Sequence, residues 1–358
     1  MGKVLSGKRV LAAILIVIVV VSVTGLSAYQ VINNQRFTQQ SYMLGLVLFQ
    51  IGQPRIVSCA PSIDEMLVGL GLEEYLVGCA SHTYAGSAPE DFYLPKLWEL
   101  ILAGKIKNSI DWWSPSLEEI VKLNPTIVLL DSGTSSHVSL YPSLANQGIP
   151  AFLVSKGSRI SEIENAILNL GTLFKKDLTA QALVNKMNAK IAGIQENVSG
   201  QQVVNVLMCV WLSISGNYLY TCGNQTFLSE MIQKAGGLNV YYDSVVAWFS
   251  VSLDAAAEKN PDVIIILDHT AYLNPLQTLS GIGQSPLNTT NAWHNQMIYF
   301  IQGQADNLFT RSGPRVAEGV ELLAKMLFPT LFGVTFGDVP YVVNTNNYKG
   351  YLSSFILE

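Results

Sequence analysis

The sequence predicts an α/β protein: two Rossmann-like α/β lobes joined by one long rigid α-helix, with a ligand cleft between the lobes. Three observations carry that expectation. Short β-branched runs alternate with helical patterns, the grammar of parallel sheets covered by helices on both faces. A stretch of the second half repeats one of the first, and a helical stretch without proline, Ser161 to Gln202, separates the two sets.

Composition narrows the function. The 358 residues are enough for roughly two domains at ~150 residues each. Lys and Arg number 21 against 26 Asp and Glu, a net charge of −5, which excludes a general nucleic-acid binder because phosphate neutralisation needs clustered cations. Only 13% of residues are charged, so polar recognition falls to amides and hydroxyls. A hydrophobic content of 49% excludes disordered and fibrous classes.

Residues 1–28 read as a membrane anchor or signal peptide. Lys3, Lys8 and Arg9 precede an uncharged run from Val10 to Leu26, which as a helix at ~1.5 Å per residue just crosses a thin hydrocarbon core. Basic residues ahead of the run place the remainder of the chain outside the cytoplasm. A cleaved signal has the same layout, with Ala28 at the cleavage position, but Leu26 fits poorly two positions earlier, so an uncleaved anchor is expected. No cysteine directly follows the run, so no lipobox position can carry a lipid. Residues 29–53, rich in Gln and Asn, read as a tether.

The first lobe, 54–157, carries expected strands at Arg55–Cys59, Leu76–Cys79, Ile127–Leu130 and Ala151–Val154. Connecting helices occupy 158–200, with one apolar stripe at Ile160, Ile163, Ile167 and Leu170 and another at Leu183, Met187, Ile191 and Ile194. The second lobe, 201–329, carries strands at Val203–Val210, Val263–Leu267 and Met297–Ile301, and 330–358 forms a C-terminal extension. The cysteines, Cys59, Cys79, Cys209 and Cys222, match no zinc spacing and read by default as buried thiols. A two-residue turn at Ser215-Gly216 sets Cys209 opposite Cys222, which leaves a cross-strand disulfide open there.

The internal repeat is the strongest signal. Trp112-Trp113-Ser114-Pro115-Ser116-Leu117-Glu118 returns 136 positions later as Trp248-Phe249-Ser250-Val251-Ser252-Leu253-Asp254. At the same offset Asn124-Pro125 matches Asn260-Pro261, each ahead of an apolar strand. Both lobes are therefore expected to place an aromatic residue in a loop, a Ser cap on a helix, an acid in its first turn and Asn-Pro at its end. Trp112 and Trp248 either face a large, flat, partly apolar ligand or fill their own cores. Glu118 and Asp254 either serve the helix dipole, for ~0.3–1 kcal/mol each, or form a two-point anionic grip on a basic partner. The repeat alone does not choose.

Taken in order, Arg55-Ile56-Val57-Ser58, Pro61-Ser62, Leu70-Gly71, Val77-Gly78, Pro115-Ser116-Leu117-Glu118, Asn124-Pro125, Ala235-Gly236-Gly237-Leu238-Asn239 and Asn260-Pro261-Asp262-Val263-Ile264 have a spacing that resembles a known family. It is that of the helical-backbone (class III) substrate-binding proteins of ABC importers, with vitamin B12-, ferric-siderophore- and haem-binding members. The resemblance runs from Pro54 to Pro329. It implies little hinge motion, a chelate of iron or cobalt in the cleft, no cofactor of the protein's own, and a permease dimer with its ATPase as partner. Glu118 and Asp254 match the acids that dock on the permease, Asp254 being shorter than the usual Glu. Trp112, Trp248 and Phe309 match cleft aromatics of the corrinoid branch, and His82 and Tyr84 lie in a loop that faces the ligand. Arg311 and Arg315 match arginines that neutralise anionic chelates, one of the two being expected to cap structure near Pro314 instead. Three features depart from the pattern: the apolar stretch Tyr42 to Ile51, the long loop Ala85 to Ser109 with Phe92, Tyr93 and Trp98, and a Tyr- and Asn-rich tail similar to extensions on archaeal members.

Two other classes compete with this one. For an enzyme, no HExxH, Walker A, G-x-S-x-G or post-strand G-x-G-x-x-G occurs, and Asp268-His269 reads as polar loop chemistry. For a binder of bare transition-metal ions, His82, His137, His269 and Asp131 are the candidate ligands, but nothing in their separations makes them converge.

Overall fold

The computed structural model describes residues 53–81, 94–268 and 271–357. The expected membrane segment, the tether up to Gly52 with the stretch Tyr42 to Ile51, His82, Tyr84, Phe92, Tyr93 and His269 lie outside the described residues. Contacts divide the chain into two compact units. The first includes Leu94–Lys156 and Glu164–Val184, the second Gly157–Ile163 and Asn185–Glu358.

Unit 1 begins with β1 (Ile56–Ser58), α1 (Pro61–Gly69), β2 (Leu76–Ala80), α2 (Pro95–Leu102), β3 (Lys107–Ile110), α3 (Leu117–Lys122), β4 (Ile127–Asp131), α4 (Ser135–Asn146) and β5 (Ala151–Val154). Its sheet is parallel throughout, in the order β3-β2-β1-β4-β5. Every residue of β1 and β4 is buried, the outcome expected of apolar runs covered on both faces. β3 reads Lys-Asn-Ser-Ile and escapes an apolar-run search because an edge strand needs no such run.

Next come α5 (Ile160–Leu173) and α6 (Asp177–Val198). Both apolar stripes expected from sequence are buried. Lys175 turns the chain between these helices in the left-handed region, φ 56°. α6 has 22 residues, and the division between units falls within it, after Val184.

Unit 2 continues with β6 (Val204–Cys209), β7 (Trp211–Ser213), β8 (Tyr218–Cys222), α7 (Phe227–Lys234), β9 (Gly237–Asn239), β10 (Trp248–Ser252), α8 (Leu253–Glu258) and β11 (Val263–Asp268). After these come α9 (Pro275–Ile282), α10 (Asn291–His294), β12 (Ile298–Gln302), α11 (Asn307–Thr310), α12 (Val316–Leu327), α13 (Pro329–Phe332) and β13 (Tyr341–Val343). A second parallel sheet runs β13-β12-β11-β6-β9, and a small antiparallel sheet runs β10-β8-β7.

The β7–β8 hairpin has the register its turn residues predict, Trp211 opposite Tyr220 and Leu212 opposite Leu219. The cysteines nevertheless stay thiols. The chain leaves the parallel sheet at Val210, so Cys209 closes β6 while Cys222 pairs with Trp248 of β10. Burial pushes the Cys209 thiol up to about 12 and the Cys222 thiol to about 11, which makes both unreactive.

The repeat is structural as well as textual. Ser116 caps α3 by accepting the Glu119 N–H, and Ser252 caps α8 by accepting the Ala255 N–H. Asn124 and Asn260 both take the left-handed region, φ 49° and 44°, at the same point ahead of β4 and β11. Asparagine reaches that region at low cost through local hydrogen bonding. One expectation is corrected: Trp248 opens strand β10, whereas Trp112 lies in a loop after β3. The β7–β8 hairpin gives the second copy a strand to pair with.

The C-terminal extension is part of unit 2. β13 adds in parallel to β12, and the chain beyond it is pinned by charges. Lys186 on α6 donates to the carbonyls of Phe355 at 2.6 Å and Ile356 at 3.0 Å. On α12, Glu321 accepts the Ser353 N–H at 2.7 Å and Glu318 the Ile356 N–H at 2.7 Å. Glu321 also binds Lys190 and Lys325, and Lys325 reaches the Tyr351 carbonyl at 2.6 Å.

Candidate functional site

In open parallel sheets the loops at the carboxyl ends of the strands carry binding groups. In unit 1, β4 ends on buried Asp131. Its Oδ1 accepts the Gly133 N–H at 2.9 Å and its Oδ2 the Thr134 hydroxyl at 3.1 Å. Lys156 stands 2.8 Å from Oδ2 and donates to Ser62 Oγ at 2.6 Å. Burial by itself pushes this carboxyl up, but the Lys156 charge and these hydrogen bonds outweigh it and hold the pKa below the ordinary value.

The first turn of α4 then holds the Trp112 segment. Ser136 Oγ donates to the Trp113 carbonyl at 2.6 Å. The Asp131 N–H donates to His137 Nδ1 at 2.9 Å, so the ring proton is assigned to Nε2, which meets the Trp112 carbonyl at 2.6 Å. Asp111 Oδ1 accepts the N–H groups of Trp113 at 2.8 Å and Ser114 at 3.2 Å. So held, the indoles of Trp112 and Trp113 lie 3.8 Å apart at 32°, with Trp113 68% exposed.

Unit 2 repeats the device at its own central strand. β11 ends on buried Asp268, which accepts the N–H groups of Tyr272 and Leu273 and the Gln302 amide at 2.7 Å, leaving Tyr272 exposed. Its aromatic surface comes from the small antiparallel sheet. Side chains two apart on a strand, and those directly paired across strands, share a face. By that rule Trp211, Tyr218, Tyr220 and Trp248 share one face with Ser213, Ser250 and Ser252. The opposite face packs Leu212, Leu219, Phe249 and Val251 onto the unit's core. Trp211 is 58% and Trp248 38% exposed, so the outer face is an aromatic platform over a buried apolar layer. The sequence repeat singles out Trp248 and passes over Trp211, Tyr218 and Tyr220. The alternation Tyr218-Leu219-Tyr220-Thr221 after Trp211 was the signal for these three.

The paired acids follow Trp112 and Trp248 by six residues in the sequence of each unit. Glu118, exposed in the first turn of α3, has Lys122 Nζ 2.7 Å away. Asp254, exposed in the first turn of α8, accepts from Asn217 Nδ2 at 3.0 Å. Asn217 is itself left-handed, φ 53°, and its carbonyl accepts the Leu253 N–H at 3.2 Å, so the hairpin turn is fastened to the start of α8.

Other expected ligand contacts fare differently. Phe309 is corrected to a core residue: α11 buries it completely, leaving no surface for a ligand. Arg311 comes directly after α11 and is largely buried. Arg315 pairs with Glu318 at 3.0 Å and approaches the Tyr348 hydroxyl at 3.4 Å, the structural member of the arginine pair. His137, a candidate under the bare-metal reading, has a backbone group on each ring nitrogen. Among the described residues no group of His, Cys, Asp and Glu converges to hold a metal ion. Among them also no helix is long and apolar enough to cross a membrane.

Comparison with known proteins agrees with this architecture. The family described as periplasmic binding protein matches residues 56–305. An uncharacterized ABC transporter substrate-binding lipoprotein of Bacillus subtilis is 26% identical over 78% of this chain and 81% of its own length. The vitamin B12-binding protein of Photorhabdus laumondii is 24% identical over 76% of this chain and 87% of its own. A solved structure of a possible iron-binding (periplasmic solute-binding) protein from Staphylococcus epidermidis superposes with a TM-score of 0.62 at 25% identity, covering 77% of this chain and 99% of that one. Nothing in these matches supports the archaeal likeness of the tail. A match that spans the first parallel sheet, all of the second except β13, and the repeated cap-and-acid segments places the chain in the periplasmic binding protein family, whose members are substrate-binding transport proteins rather than enzymes.

Proposed function

We propose that the chain captures a metal chelate (a ferric siderophore, haem or a corrinoid) outside the cytoplasmic membrane and delivers it to an ABC permease dimer with its ATPase. The observation that carries the ligand class is the aromatic surface of each unit, Trp112 with Trp113 and Trp248 with Trp211 and Tyr220. Flat aromatic faces suit a large planar or partly apolar ligand, each well-placed ring adding about 0.5–1.5 kcal/mol beyond its buried area. The relatives named for vitamin B12 and for iron support the same class. Arg311, His82 and Tyr84 join the ligand set by resemblance, with Arg311 offsetting negative charge on the chelate.

Delivery falls to Glu118 and Asp254, exposed acids that match between the units and suit basic sockets on a permease. The N-terminal segment, with Lys3, Lys8 and Arg9 ahead of Val10 to Leu26, tethers the protein to the outer face of the membrane. The test is tryptophan fluorescence of the full chain titrated with cyanocobalamin, haemin and a panel of ferric siderophores. One ligand is expected to quench saturably, and less so in Trp112→Ala and Trp248→Ala. Absence of quenching by every member overturns the chelate reading.

A further inference from the structure

The Trp112–Trp113 pair is held by Ser136, by Asp111 and by one buried imidazole, the titratable side chain that meets the Trp112 carbonyl. We propose that His137 is the positioning residue of the Trp112–Trp113 pair, and that protonation of its ring releases the pair, so that the protein gives up aromatic contacts to its ligand as the medium acidifies. The ligand half of this statement rests on the function proposed above; the release of the pair does not.

The geometry makes the clamp specific to the neutral ring. Nδ1 is an acceptor here because the Asp131 backbone N–H points at it from 2.9 Å. Nε2 must then be the donor to the Trp112 carbonyl at 2.6 Å. A doubly protonated imidazolium carries donors on both nitrogens and therefore sets an N–H against the Asp131 N–H. Asp131 cannot turn away, because that residue is the last of β4 and its side chain is fixed by Gly133, Thr134 and Lys156. The ring must move instead, and the carbonyl it holds is in the loop that bears both indoles. Ser136 then ties that loop to α4 through the Trp113 carbonyl, a single neutral hydrogen bond.

The surroundings set the direction of the titration. Burial disfavours the imidazolium most, and the Lys156 charge adds to that, while the bond to Trp112 and the Asp131 carboxylate oppose it; the net effect lowers the His137 pKa from 6.5. Among the described residues, Asp111 also lies at the clamp, bound to the Trp113 and Ser114 N–H groups, as does Tyr141, one turn along α4, whose pKa burial raises. Tyr141 stays neutral throughout His137's range. A histidine whose folded pKa is depressed stabilises the structure above 6.5 and ceases to do so as pH falls through the lower folded value. The clamp is therefore closed at neutral pH and opens on acidification.

The test uses the full chain without ligand first. Stacked indoles give an exciton couplet in circular dichroism, assigned here by its loss in Trp113→Phe. From about pH 7.5 to about pH 5 the wild-type couplet is expected to decay with a one-proton profile whose midpoint lies below the ordinary histidine value. His137→Gln keeps one acceptor and one donor but does not titrate, so it should retain the couplet across the whole range; a clamp of purely structural importance would not be rescued this way. Titrations with cyanocobalamin and ferrioxamine B come second. Affinity for whichever binds should weaken about three- to tenfold across the same range in wild type, the worth of an aromatic contact, and stay level in His137→Gln. A wild-type couplet independent of pH, or one that titrates alike in His137→Gln, overturns the proposal whether or not a ligand binds. A couplet that titrates as described while neither probe binds upholds the clamp and counts against the ligand assignment alone.

Discussion

Lys156 serves two buried oxygens, Asp131 Oδ2 and Ser62 Oγ, and its own side chain is nearly buried. Replacing it in Lys156→Met leaves the Asp131 carboxylate enclosed without its cation, a change that costs about 3–5 kcal/mol in comparable buried pairs; denaturant melts read it directly. The pH dependence comes from the same pair. The folded pKa of Asp131 is depressed below 3.8, so its contribution is present above 3.8 and is lost as pH falls through the folded value. Wild type should therefore lose stability in acid more steeply than Lys156→Met, and equal acid slopes would refute this. Trp211→Ala makes a complementary prediction: ligand affinity weakens about three- to tenfold, while melting is barely moved because the ring lies on an exposed sheet face. Trp211 has no repeat partner in the sequence, whereas Trp112 and Trp248 match each other across the repeat.

The two capped helices α3 and α8 test the repeat as physical structure. Ser116→Ala and Ser252→Ala each remove the acceptor for an otherwise unpaired N–H and should cost about 1 kcal/mol in thermal or denaturant unfolding. The C-terminal strap is the stronger case. Glu321 gathers Lys190, Lys325 and the Ser353 N–H, and the bonds and charges of the lysines hold it below the ordinary carboxylate range despite burial. Glu321→Ala leaves two enclosed ammonium groups without their anion and frees the tail, with an expected loss of about 3–5 kcal/mol; protease cleavage within the tail should rise in parallel. Unchanged melting would mean that β13 and the Lys186 and Glu318 contacts suffice to hold the tail. Strand β13 and these lysine contacts were not legible in the sequence, because a three-residue strand and side chains from three separated elements leave no periodic pattern.

For the importer as a whole, the double variant Glu118→Arg with Asp254→Arg should abolish uptake and permease association while leaving ligand affinity in place, as measured by transport assay and by titration of the same preparation. Loss of affinity instead would move these acids out of docking and into the ligand site. The family, the two parallel sheets and the cap-and-acid segments could be read from the chain because each depends on neighbours within a few residues: apolar runs for buried strands, Ser ahead of an acid for a helix start, Asn-Pro for a left-handed exit. The helical stripes were equally plain, since a buried face repeats every turn. What only the folded chain decided lies at long range. His137 meets Trp112 across 25 positions, Lys186 meets Ile356 across 170, and the aromatic platform needs three strands paired in register. The same distance misled the reading of Phe309, an aromatic whose local sequence is compatible with surface or core and which packing assigns to the core. Local sequence sets backbone preference and periodicity; which side chains meet depends on strand order and on where each segment comes to lie, and neither is written in any single stretch of residues.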